Sequence, residues 1–136
     1  MENCYGKNKV NFTLWVLTVI SALIAIIFYS FLPKEIPMQW NGINVNWYAN
    51  KLAIFLYPVI CVAVIFLLKP IINTRFRTPI VSNIVIVSLI FILLSCEIYT
   101  IAYCFGLRWR IDYILLVEFV SMLITGIITA RRYSNK

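Results

Sequence analysis

Glu97 and Glu118 lie inside long apolar runs of a chain that holds only five acidic residues. An ionisable group in hydrocarbon is expensive unless it is paired, protonated or wetted, so each position carries either structure or function. The chemistry open to the two acids is narrow. There is no histidine, which removes the commonest general base and metal ligand. No nucleophile stands beside a base. Two such carboxyls can line a ligand cavity, bind a cation or proton in transport, or serve as acid and base of a membrane enzyme. Catalysis ranks last, and the sequence calls for no cofactor and no metal. The plainer reading makes the acids and nearby hydroxyls hydrogen-bonding glue between helices.

Glu97 precedes Gly106 by nine positions and Glu118 follows Ile111 by seven. At 1.5 Å per residue both therefore sit roughly 10 to 14 Å below the same surface. On a helix Glu97 shares a face with Asn83, Thr100 and Cys104, and Glu118 with Ser121, Thr125 and Thr129. If these polar faces meet, one shared proton satisfies both carboxyls. The alternative is a snorkelling contact with a cation at the rim, where Lys51, Arg108 and Arg110 are the candidates.

The elements that hold these residues follow from composition. Of 136 residues, 62% are hydrophobic and 12% charged, which excludes a water-soluble globular domain. Spanning a bilayer core takes about 20 apolar residues, and four runs qualify, at 12–32, 52–69, 80–105 and 111–130. The expected fold is all-α, an integral membrane four-helix bundle forming a single domain over 1–136. The first run is too long for the apolar core of a secretory signal and is expected to remain as a span.

Eight of the twelve Lys and Arg residues lie at the N-terminus, in the middle connection and in the C-terminal tail. Positive flanks stay in the cytoplasm during insertion. Both termini are therefore expected to be cytoplasmic, with the loop 33–50 facing outward across the cell membrane. The net charge of +7 reads as topology and attraction to membrane lipids rather than as a nucleic-acid footprint. With Cys4 on the reducing side and Cys61 and Cys96 within spans, no structural disulfide is expected; a Cys61 to Cys104 bridge is the alternative.

Within the first run, Asn11, Trp15, Thr18, Ala22, Ala25 and Tyr29 form one helical stripe whose small members suit close helix packing. Pro58 predicts a kink in the second span. Pro70 and Pro79 are expected to bracket a short connection in which Arg75 and Arg77 anchor the headgroup region.

The loop reads PKEIPMQWNGINVNWYAN, too long for a tight turn. Trp40, Trp47 and Tyr48 suit the interfacial aromatic belt, with a recognition surface as the rival reading. Here the sequence resembles a membrane family, the DUF1648 domain found in the N-terminal part of SdpI-type immunity proteins. The resemblance rests on Leu32, Pro33, Ile36, Pro37, Trp40, Asn41 and Lys51. Two titratable positions of the family pattern are amides in this chain, Gln39 for His and Asn46 for Asp. Amides are poor metal ligands and do not titrate near neutrality. Arg77, Thr78 and Pro79 echo an Arg-Thr-Pro motif of the longer relatives.

The resemblance implies protection of the producing cell from a secreted membrane-active peptide toxin, in some relatives with a signal to a cytoplasmic regulator. The expected contacts are Trp40, Asn41, Trp47 and Tyr48 at the surface and Glu97 and Glu118 below. The alternatives are a small cation- or proton-coupled transporter or channel subunit, and a regulatory subunit of a larger membrane complex.

Overall fold

The computed structural model describes residues 2–75 and 79–134, with the side chains of 10–75 and 80–132. Arg77, Thr78 and Lys136 lie outside the described residues, as do the side chains of Cys4, Lys7, Lys9 and Pro79.

Helix α1 (Glu2–Tyr29) leads into strands β1 (Glu35–Asn41) and β2 (Asn44–Asn50). A 3₁₀ turn (Lys51–Phe55) then opens a second helical run made of α2 (Leu56–Ala63), a π-turn (Val64–Leu68) and α3 (Lys69–Arg75). Helices α4 (Pro79–Cys104) and α5 (Ile111–Ser134) complete the described chain. Among the described residues, four stretches are long and apolar enough to cross a membrane: Val10–Tyr29, Lys51–Arg75, Ile80–Cys104 and Ile111–Arg132. The protein is a multi-pass membrane protein.

The fold is not all-α, because the loop between the first two spans is an antiparallel hairpin pairing Glu35 with Asn50 and Asn41 with Asn44. Two residues make its turn, and only the first, Gly42, has positive φ (66°), as a type II′ turn requires. The register slips at Gln39, a bulge that breaks the ladder beside Pro37, which has no N–H to offer it. The signal for this hairpin is Asn41-Gly42 between two runs in which every second residue is apolar, Ile36, Met38, Trp40 and Val45, Trp47, Ala49.

Both prolines of the second span act through local geometry. Pro58 falls in the first turn of α2, just after the 3₁₀ segment, where few N–H groups have intrahelical partners. Pro70 does not end the span as expected: it lies inside α3, two residues after the π-turn. The wider turn absorbs the missing donor, and the helix runs on to Arg75.

Helix α4 is the hub. It packs against α1, the second helical run, α5 and β1. Two apolar clusters fill the interior. One joins Ala25, Leu32, Ile36, Ile54, Tyr57 and Ile101 near the hairpin, and the other joins Leu14, Cys61, Val64, Ile86 and Ile90 toward the termini. The buried face of α1 runs through Leu14, Thr18, Ser21 and Ala25, so the stripe expected through Trp15 and Ala22 is rotated by about one position. Trp15 is exposed and stacks edge-on against Phe66 at 5.9 Å between centroids.

Candidate functional site

Between the two apolar clusters lies a polar layer. Glu97 is fully buried, and its Oε2 accepts a hydrogen bond from Ser21 Oγ at 2.5 Å. Its Oε1 has no partner among the described residues. One turn further along α4, Thr100 Oγ1 donates to the Cys96 carbonyl at 2.9 Å and also meets Tyr57 Oη at 2.9 Å. Its single hydrogen is spent on the carbonyl, so Tyr57 donates to Thr100. Ser21, Glu97, Thr100 and Tyr57 thus tie three helices together.

Glu118 is held elsewhere. Its Oε1 accepts from Ser95 Oγ across the contact between α4 and α5, and its Oε2 is buried without a described partner. Ser95 and Glu97 are two residues apart, about 200° around α4. The two acids therefore lie at similar depth on opposite sides of one helix, and their polar faces do not meet. Ser121 and Thr125 are exposed and return their hydroxyls to the α5 carbonyls of Glu118 and Ser121 at 2.8 Å each. Neither acid reaches a rim cation: Lys51 stands 4.4 Å over the Tyr29 ring, Arg108 stands 4.2 Å over Tyr103, and Arg110 pairs with Asp112 at 3.2 Å.

The hairpin sits on this framework through buried Ile36 of β1 and through Trp40. Trp40 meets the rings of Tyr99 at 5.2 Å and Tyr103 at 6.3 Å, both edge-to-face. Tyr99 Oη donates to the Trp109 carbonyl, and Tyr103 Oη donates to the Ile43 carbonyl at 3.3 Å. Tyr99 and Tyr103, one turn apart at the end of α4, thereby fasten both the hairpin and the 105–110 turn. Trp40 Nε1 is buried without a described partner.

Trp47 and Tyr48, by contrast, are 57% and 51% exposed, and Asn41, Asn44, Asn46 and Asn50 are exposed around them. Among the described residues β2 makes no backbone hydrogen bond except to β1, so its outer edge is open. Such an edge can take up another extended chain.

The structure therefore separates the six sequence-predicted residues. Asn41, Trp47 and Tyr48 face outward from the hairpin, Trp40 anchors it, and Glu97 and Glu118 sit deeper in two different helix contacts. Sequence reasoning missed their partners Ser21, Ser95, Tyr57, Tyr99 and Tyr103. Ser21 was legible as the middle of the Leu14, Thr18, Ser21, Ala25 spacing. Among the described residues Cys61, Cys96 and Cys104 are free thiols, so the alternative Cys61 to Cys104 bridge is not formed.

Residues 16–62 match the model of a family described as a domain of unknown function, DUF1648. The matched segment covers the second half of α1, the whole hairpin and about the first half of the second span. No curated protein and no solved structure matches the chain.

Proposed function

From the match of residues 16–62 to the DUF1648 family, we propose that the chain is a non-catalytic immunity protein of the cell membrane. It binds a secreted membrane-active peptide at the outer face before the peptide disrupts the bilayer. The observation that carries this reading is the hairpin: a strand with an open edge, flanked by exposed Trp47 and Tyr48, on a base made rigid by Trp40. An extended peptide adds to the β2 edge through main-chain hydrogen bonds while the two aromatics take its apolar side chains. Asn41 contributes polar contact at the turn. In this reading both termini are cytoplasmic, where a regulator can dock, and Glu97 and Glu118 hold the helices beneath the hairpin.

The test is survival of a sensitive bacterium that expresses the chain and is challenged with culture supernatant of the producing organism. Protection is expected from the wild type, is lowered by the Trp47→Ala, Tyr48→Ala double variant, and is retained by Glu118→Gln. Killing at the same rate with and without the chain overturns the reading.

The two carboxyl oxygens without described partners, Glu97 Oε1 and Glu118 Oε2, favour a second reading, a cation- or proton-coupled transporter or channel subunit. It expects a cation- or pH-driven flux in liposomes that either Glu→Gln change abolishes.

A further inference from the structure

At the end of the bundle away from the hairpin, a cleft of about 480 Å³ opens between α1, α4 and α5. Its volume falls within the range of roughly 300–1,000 Å³ typical of small-molecule sites. Val10, Ile80, Ile84 and Val87 make its walls largely apolar, and Asn83, Ser88 and Thr125 supply its few polar groups. From Ile80 to Ser88 it runs about 12 Å along α4, inside the span Ile80–Cys104. The cleft is thus a slot parallel to the lipid chains, entered from the rim of the bilayer.

A cation stands at that rim. Arg132 follows Thr125 by seven residues, so it lies on the same face of α5 about 10 Å further toward the rim. It is exposed and forms no ion pair or hydrogen bond with any described residue. Arg131, on the same turn, points about 100° away from the cleft. The N-terminus of α4 lies at the same end, and its macrodipole adds positive potential there.

We infer that this cleft is a binding site for an anionic phospholipid, with one acyl chain lying between Val10, Ile84, Val87 and Thr125 and the phosphate on Arg132. An apolar slot beneath a cationic rim complements the two halves of that molecule, as basic pockets between transmembrane helices do for acidic headgroups. A zwitterionic lipid fills the slot equally well but leaves the arginine unneutralised.

Native mass spectrometry of the purified full chain, released from micelles containing equal phosphatidylglycerol and phosphatidylcholine, tests the site. Phosphatidylglycerol is expected to be retained preferentially, and Arg132→Gln to lower its retention roughly five-fold. Arg131→Gln removes the same charge from the neighbouring face and is expected to leave retention near wild type. Thr125→Trp, at an exposed position, is expected to block the slot and abolish retention. Equal retention of the two lipids overturns the inference, as does an equal loss in the two arginine variants, which marks a diffuse surface potential. A second protein copy bound in place of lipid overturns it as well.

Discussion

Ser21 and Glu97 show how an acid is kept inside an apolar bundle: one oxygen is satisfied by a hydroxyl from the neighbouring helix while the carboxyl separates two apolar clusters. Interhelical hydrogen bonds in membranes contribute about 0.6 kcal/mol on average and up to roughly 1.7 kcal/mol. A double-mutant cycle on Ser21→Ala and Glu97→Gln, followed by reversible detergent unfolding, is expected to give a coupling at the upper end of that range. The same cycle on Ser95 and Glu118, where the acid is half-buried, is expected to give less. Both acids were legible in the sequence as polar residues at one depth, but a helical wheel drawn for each span alone does not say which neighbour a face meets. Trp40 and Trp47 were not separable either, since both are aromatics of one interfacial segment. Only the contact with Tyr99 and Tyr103, some 60 residues later in the sequence, makes the first an anchor. Truncating Trp40 to Ala is therefore expected to cost about 2–3 kcal/mol of local stability, read as faster amide exchange across 35–50. Trp47→Ala is expected to stay within about 0.5 kcal/mol.

The hairpin is the element the hydropathy pattern hid. Its strands sit in a stretch with two prolines and four asparagines, a composition that depresses strand propensity, and the anchoring tyrosines that override it come from α4. The four spans were readable because their signal is additive over some 20 residues, whereas a seven-residue strand depends on its turn and its partners. Gly42 is the critical turn residue. A Cβ built there meets only the Arg110 guanidinium, at 3.9 Å, which is ordinary contact, so the cost of substitution is conformational rather than steric. Gly42→Ala is expected to destabilise the hairpin by about 1–2 kcal/mol. Gly42→Asn is expected to cost less, because Asn tolerates positive φ. Amide exchange of β1 and β2 reads both, and an unchanged Gly42→Ala hairpin would show that the turn does not set the register. Pro70 makes the same point for helices: a proline read as a terminator is carried inside α3 because the π-turn before it has already rearranged the hydrogen-bond ladder.

At the scale of the molecule, the bundle has two chemically different ends. One carries the hairpin, Tyr99, Tyr103, Arg108 and Arg110. The other carries Asn11, whose side chain accepts from Lys69, the cleft between α1, α4 and α5, and the last turn of α5 with Arg131 and Arg132. The peptide-binding reading requires the first end to face outward, and the uneven distribution of Lys and Arg points the same way. Orientation is testable after Cys4, Cys61, Cys96 and Cys104 are replaced by Ser or Ala. A single cysteine introduced at Asn44 of the turn is expected to react with a membrane-impermeant maleimide in intact cells. One introduced at Arg132 is expected to react only after the membrane is opened. The reverse pattern places Trp47 and Tyr48 in the cytoplasm, where no peptide arriving from outside meets them, and turns the hairpin into a docking surface for an intracellular partner. Labelling at both positions in intact cells would mean an odd number of crossings between residues 44 and 132 does not hold, and one of the spans Lys51–Arg75, Ile80–Cys104 and Ile111–Arg132 would have to lie along the membrane instead of through it. Helix α5 is the one to examine first in that case, since it packs mainly on α4 and none of its most apolar stretch is buried inside the protein.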